Sequence, residues 1–298
     1  MNTFPVWANG QVHPAGTPVL SAEDQGFLQG LSVFDSVLFE GGCLYFLEQH
    51  VARLRKAAGE LGIPWPPPWD PTEAWHSMAA AVGDHDCILR MTMTRGVPGQ
   101  GASMFLTART LAIPEDPGVV IFLSPRRKLA GDLLEGMKST NRLRNVLARE
   151  EAQAMGAWEA ILLNHDGDLA EGTLTNIFVL RDDELVTPST ERGCLSGIMR
   201  EQVLSELARK PLVLADGRAI PLASGRVEVS EIARAQEAFL TNTSGRIVPI
   251  VEVRGLQGGP HRLPGSSGPV TAALRARVHA LEQSYRSAQG RSCGSQGS

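Results

Sequence analysis

The run Ile113-Pro114-Glu115-Asp116-Pro117-Gly118 is the strongest constraint on how this chain can fold. Two prolines and a glycine deny the run both a helix and a central strand, and its charges keep it at the surface. No regular element crosses it, so the chain must build its core in two parts. The expected division is a small N-terminal domain over residues 1–113, a linker at 114–118, a larger domain over 119–285 and a disordered tail at 286–298. With 298 residues, 43% of them hydrophobic, there is enough chain for one large or two modest domains with real cores.

Ahead of the break, the residues from Val33 to Phe39 and from Leu44 to Phe46 flank Glu40-Gly41-Gly42 and predict a hairpin through a glycine turn. Leu47, Val51, Leu54 and Ala58 recur at helical spacing up to Leu61. That helix stops before Pro64-Trp65-Pro66-Pro67-Pro68-Trp69, which reads as a rigid surface loop. A second helix is expected from Pro71 to Val82, then strands from Cys87 to Thr94 and from Ser103 to Ala112.

Beyond the break, a strand is expected from Val119 to Leu123. The helix from Arg142 to Met155 is predicted to bury Leu143, Val146, Leu147 and Met155 on one face. Strands near 159–163, 176–180 and 239–242 give this half a β-rich core carrying helices, one of them after Gly197. Gly265-Ser266-Ser267-Gly268 reads as a flexible connection to a last helix from Val270 to Tyr285. The fold class is therefore α/β (α+β), in two domains.

Composition narrows the function by exclusion. With 28 Lys+Arg against 32 Asp+Glu, the net charge of −4 suggests neither nucleic acid nor a membrane surface. Cys43, Cys87, Cys194 and Cys293 form no Cys-x-x-Cys pair, which argues against a zinc site or a disulfide framework and fits a reducing compartment. The first residues lack a basic leader with an apolar core, so a cytoplasmic protein is expected. His13, His76, His85, His165, His261 and His279 lie in unrelated contexts, with no pair at metal spacing.

Two runs carry chemistry: Gly136-Met137-Lys138-Ser139-Thr140-Asn141-Arg142-Leu143 and Glu171-Gly172-Thr173-Leu174-Thr175-Asn176-Ile177-Phe178. Lys138 opens a helix-like stretch and Glu171 follows a turn, so taken alone each reads as a solvated surface charge. Taken as a pair they suit pyridoxal phosphate. A lysine amine binds the aldehyde carbon as a Schiff base, and a partly buried carboxylate keeps a proton on the ring nitrogen so that the ring accepts electrons.

From about residue 20 to residue 253 the chain resembles the class IV aminotransferases, the fold-type IV pyridoxal phosphate enzymes. The motifs are Asp24-Gln25-Gly26-Phe27 with Gly30, Val33-Phe34-Asp35, His50-Val51-Ala52-Arg53-Leu54 and Thr94-Arg95-Gly96. They continue through the Lys138 and Glu171 runs, Leu195-Ser196-Gly197-Ile198-Met199-Arg200, Thr241-Asn242-Thr243 and Val248-Pro249-Ile250. The resemblance implies pyridoxal 5′-phosphate as cofactor, with Lys138 as its Schiff-base lysine and Glu171 at its ring nitrogen.

The resemblance also implies a phosphate held by Arg53, by the backbone of Ile198 and Met199 after Gly197, and by Thr243 next to Asn242. A helix starting after Gly197 suits an anion. Arg53 has a plainer reading as an arginine on an amphipathic helix, and Arg200 reads as structural. Asn176 reads either as a support for Glu171 or as a polar residue entering a strand. His50 reads as a packing residue that orients the Arg53 region. A homodimer is implied, with the loop from Val97 to Ala102 closing the substrate side.

Three reactions share this scaffold: transamination of branched-chain amino acids, transamination of D-amino acids or amines, and pyruvate elimination from aminodeoxychorismate. Leu143 stands where the branched-chain enzymes usually carry a tyrosine. Phe34 replaces the usual tyrosine of the D-amino acid enzymes, and the loop lacks their Arg-x-His. Gln100 replaces the arginine of the lyase loop, and a neutral amide makes no bidentate ion pair with a carboxylate. Candidate substrate residues are Phe34, Ser36, Arg90, Arg95, Gln100 and Ser244. The preferred reading is an aminotransferase acting on an amino donor and a 2-oxo acid. The lyase is the alternative, and a catalytically silent cofactor-binding relative stands behind both.

Overall fold

The computed structural model describes residues 3–65 and 69–294. The middle of the proline run, Pro66-Pro67-Pro68, and the end of the expected tail, residues 295–298, lie outside the described residues. The chain divides into two compact units. Unit 1 contains Met1–Ala112, Met137–Asn141 and Glu282–Ser298, and unit 2 contains Ile113–Gly136 and Arg142–Leu281.

Unit 1 is one antiparallel sheet with helices. Its strands are β1 (Val6–Ala8), β2 (Gln11–His13), β3 (Ser32–Glu40), β4 (Cys43–Leu44), β5 (Cys87–Thr94) and β6 (Ser103–Thr110), in the order β2-β1-β6-β5-β3-β4. The turn at Gly41 and Gly42, both at positive φ, closes the predicted hairpin between β3 and β4. Helix α1 (Gln25–Gln29) is capped by Asp24, which accepts from the Gly26 N–H, and ends at Gly30 in the left-handed region. Helix α2 (Leu47–Glu60) packs on β3. The predicted helix at 71–82 is α3 (Pro71–Val82), with Pro71 in its first turn and Asp70 accepting from the Thr72 and Glu73 N–H groups. The core below these helices includes Val33, Val37, Leu54, Trp75, Met78, Leu89 and Met91.

Unit 2 is built on a long mixed sheet. Its strands are β7 (Val119–Lys128), β8 (Glu159–Asn164), β9 (Leu169–Gly172), β10 (Asn176–Arg181), β11 (Glu184–Pro188), β14 (Leu222–Gly225), β15 (Glu237–Asn242) and β16 (Arg246–Arg254). The order is β14-β11-β10-β15-β16-β7-β8-β9, and β17 (His261–Arg262) pairs with β16. A separate two-stranded ribbon joins β12 (Leu212–Val213) and β13 (Ala219–Ile220). Phe178 and Phe239 face each other across β10 and β15 with their rings stacked at 5.0 Å, a pairing worth about 0.5–1.5 kcal/mol beyond its buried area. The helices are α4 (Leu143–Ala154), α5 (Ile198–Arg209), α6 (Val229–Ile232) and the first part of α7 (Pro269–Gly294).

Four expectations need correction. Helix α4 buries Asn145, Ala148 and Ala152, while Leu143, Val146 and Met155 are exposed. Small residues let α4 lie close on β7 and β8, so its larger apolar side chains are left on the outer face. Lys138 does not open the helix, which starts only at Leu143; it lies in an extended segment beside β3. The connection from Gly265 to Gly268 is packed, not loose: Gly265 is buried, and a Cβ at Gly268 would meet the Glu237 carboxylate at 2.2 Å. Helix α7 runs past Tyr285 to Gly294. Tyr285 donates to the Glu48 carboxylate, and Arg286 to the Gly41 carbonyl, which gives residues beyond Tyr285 partners that a polar composition does not reveal.

Candidate functional site

Lys138 is placed by backbone. The Phe34 N–H donates to the Lys138 carbonyl at 2.9 Å, Val33 and Ser139 form a β-bridge, and the Thr140 N–H donates to the Ser32 carbonyl at 3.1 Å. The Asn141 amide donates to the Gly30 carbonyl at 3.1 Å. Gly30 is required there, because a Cβ at its φ of +69° would meet the Asn141 side-chain oxygen at 2.1 Å.

The Lys138 side chain lies over Phe34, its Nζ 4.8 Å from the ring centroid, and the Arg90 guanidinium carbon lies 3.6 Å from the same centroid. Strand register explains the meeting. Arg90 pairs with Ser36, two residues from Phe34 and therefore on the same face of β3. Phe34, Ser36, Arg90 and Lys138 are thus brought together.

Asp35 points to the opposite face, where α2 brings His50 and Arg53 to it, two side chains spaced three residues apart on one helix face. Asp35 is fully buried and accepts from Arg53 Nε at 2.8 Å, Arg53 Nη2 at 2.7 Å, His50 Nδ1 at 2.8 Å and the Ser36 N–H at 2.7 Å. Burial alone would push the Asp35 carboxyl up, but Arg53 and His50 outweigh it and hold the group well below the usual carboxylate range. Burial lowers the His50 pKa, so its neutral ring donates through Nδ1. Arg53 is 15% exposed, and Asp35 fixes its guanidinium through Nε and Nη2.

The loop candidates are placed differently. Arg95 donates to the Leu61 carbonyl at 2.8 Å, at the end of α2, which commits part of its guanidinium to structure. Gln100 is exposed in a turn closed by its own N–H on the Val97 carbonyl.

In unit 2, Glu171 lies in β9, one residue before its end, and is 4% exposed. One carboxylate oxygen accepts from Lys128 Nζ at 2.5 Å. The other accepts from the Leu195 N–H at 2.8 Å and from the Asn176 amide at 3.4 Å. Asn176 also donates to the Leu195 carbonyl at 2.8 Å, so it supports Glu171 and the 195–197 backbone together. Gly197 makes room for this: a Cβ there would meet the Asn176 oxygen at 2.0 Å. Arg200 is structural, donating to the Pro188 carbonyl and to Ser224.

Helix α5 starts after Gly197 with no side-chain cap, so the N–H groups of its first turn, which include Ile198 and Met199, are not served by the cap residue. It packs on β15, whose last residue, Asn242, accepts from the Gly245 N–H at 2.6 Å. That bond shapes the half-buried turn holding Thr243 and Ser244.

Sequence reasoning passed over two buried groups in unit 2. Lys128 is one, since nothing in its neighbours announces a side chain 1% exposed against Glu171. The other is Glu159, which accepts from the Thr173 hydroxyl, the Leu174 N–H and the Thr175 hydroxyl, and so shapes the loop between Glu171 and Asn176. Burial raises the Glu159 pKa. A glutamate at the head of an otherwise apolar strand was the available signal.

These residues fit the cofactor that the resemblance implies. A buried carboxylate is the group a protonated ring nitrogen would need, and an uncapped helix N-terminus is one that would suit a phosphate. The Thr241 hydroxyl, directly across the sheet from Asn176, is buried with no hydrogen-bond partner among the described residues. An orphaned polar atom in this position is the mark of a site that a polar ligand completes.

The chain is 29% identical over 285 residues to the D-alanine aminotransferase of Bacillus licheniformis, covering 91% of this chain and 94% of the relative. It is 27% identical over 296 residues to the aminodeoxychorismate lyase of Bacillus subtilis, covering 91% and 92%. Among solved structures, the branched-chain aminotransferase of Thermoproteus uzoniensis, determined with norvaline, superposes with a TM-score of 0.76 at 27% identity, covering 91% and 92%. Residues 32–253 match the Amino-transferase class IV family, and with most of its length inside that match the chain belongs to this family of pyridoxal-phosphate-dependent enzymes.

Proposed function

We propose that this enzyme is an aminotransferase that moves an amino group from an amino acid to a 2-oxo acid, with Lys138 carrying the proton. The observation that supports this reading best is the stack of Arg90, Phe34 and Lys138. A guanidinium and an amine placed against one ring suit an α-amino acid, whose carboxylate the guanidinium binds. Arg90 binds the carboxylate, Phe34 and Ser36 line the same face, and Lys138 moves a proton from the substrate α-carbon. Gln100 offers an amide where the lyase pattern supplies a second guanidinium, so the loop is poorly suited to a dicarboxylate.

When bound, pyridoxal phosphate supplies an electron sink for the substrate α-carbon. The chain would hold it through Glu171, kept in place by Asn176 and Leu195, at the ring nitrogen. Arg53, Thr243 and the first amides of α5 at Ile198 and Met199 would hold its phosphate, with Asn242 and Ser244 shaping the turn around Thr243. Arg53→Ala and Thr243→Ala are each expected to weaken cofactor binding by about 1.5–3 kcal/mol, roughly ten- to a hundredfold in Kd. Titration of the apo variants with cofactor measures this, and wild-type affinity in both would place the phosphate elsewhere.

Transfer and elimination differ in what is left on the enzyme. A good amino donor, given alone, is expected to convert the holoenzyme from its visible-absorbing form to the pyridoxamine form, and a 2-oxo acid to restore it. Repeated release of pyruvate from aminodeoxychorismate, with no amino donor producing the pyridoxamine spectrum, would make the enzyme the lyase instead. The active species in this assay is a homodimer. Leu143 and Val146 on α4, and Phe27 and Leu28 on α1, are large apolar side chains left exposed on the single chain, as a second copy requires. A fully active monomer in sedimentation would remove that part of the proposal.

A further inference from the structure

Lys128 is an unusual neighbour for a carboxylate assigned to a cofactor ring. It ends β7 with its side chain 1% exposed, and its Nζ lies 2.5 Å from Glu171 and 3.2 Å from Glu135. Glu135 in turn pairs with Arg144, near the start of α4. The result is a chain of alternating charge, Arg144, Glu135, Lys128, Glu171, whose formal charges cancel. The other polar groups around Glu171 come from β10, where Asn176 donates, and from the segment entering α5, where the Leu195 N–H donates and Cys194 lies close enough to interact with it electrostatically.

We propose that Lys128 is a positioning residue for Glu171: its ammonium is the resident counter-ion that keeps this buried carboxylate charged before the cofactor arrives, and Glu135 holds that ammonium in place. The inference rests on the reading of Glu171 as the partner of the ring nitrogen. A carboxyl group removed from water and left without a cation takes up a proton, and a neutral acid cannot stabilise a protonated ring. Two N–H donors orient Glu171 without neutralising it. The ion pair with Lys128 supplies the charge.

The test counts protons on binding to the apoprotein, using 4-deoxypyridoxine 5′-phosphate, which has no aldehyde and so needs no lysine. This ligand brings its own proton on the ring nitrogen. In the wild type it meets a carboxylate already charged. In Lys128→Met the carboxyl group has taken up a proton and must release it when the ring binds. Calorimetry in buffers of different ionisation enthalpy should show about one more proton released per site in Lys128→Met than in the wild type. Lys128→Arg should match the wild type, and Lys128→Met combined with Glu171→Gln should lose the extra proton.

Lys128→Gln is neutral and can still bridge both carboxylates, so it carries the same expectation if Lys128→Met fails to fold. No extra proton in either neutral variant, or an extra proton that persists without Glu171, overturns the proposal. The underlying reading fails separately: if Glu171→Gln leaves the ultraviolet protonation spectrum of the bound ring unchanged, Glu171 is not its partner.

Discussion

Lys138→Ala is expected to lower turnover by about 10⁴-fold while leaving the thermal unfolding curve of the apoprotein unchanged. The amine is the only part of this residue with a chemical role. Its carbonyl accepts from the Phe34 N–H, and the adjoining bonds run through the main chain and neighbouring side chains, so alanine keeps the segment in place. The variant loses both the covalent hold on the cofactor and the base that moves the substrate proton. Borohydride reduction of the wild-type holoenzyme should discharge the visible band and leave the adduct on the peptide containing Lys138. An adduct on Lys56, Lys128 or Lys210 would sink the assignment.

Glu171→Gln is expected to slow turnover by about a hundredfold with the cofactor still bound, because a neutral amide cannot stabilise charge that develops on the ring. The substitution keeps the shape of the side chain, and phosphate contacts on other elements are untouched. Steady-state turnover together with cofactor titration separates the two effects. An unchanged turnover number would remove Glu171 from the chemistry.

Short-range pattern reveals some of this molecule and hides the rest. The helix at 71–82 is announced by Asp70 and Pro71, whose capping roles need no distant partner. Strand β5 has the expected bounds because breakers flank an apolar run. Lys138 and Glu171 stood out because they sit inside ordered motifs, and Asn176 could be read only as one of two options until its amide was seen bridging Glu171 and Leu195.

Long-range partnership was not legible. Nothing in Ser139 or Thr140 points to β3, about a hundred residues earlier in the chain, and nothing in Lys128 points to Glu171. Helix α4 misled for a different reason. Periodicity identifies an apolar stripe but not what covers it, and here small residues face the sheet while Leu143 and Val146 face outward. The same limit applies to Asp35, which looks like one polar residue in an apolar strand until α2 lays His50 and Arg53 against it.

The segment carrying Lys138 is tied to β3 at Phe34 through groups every residue but proline possesses: an N–H, a carbonyl, a bridge between extended chains. The Phe34 side chain takes no part in those bonds. Any residue other than proline at position 34 supplies the same main-chain bonds to the segment that presents the lysine. Under the roles proposed for Phe34 and Lys138, selectivity on that face and the capacity for chemistry are carried by separate parts of the same residues. A lineage built this way can explore new amino donors one substitution at a time and remain an active enzyme at each step.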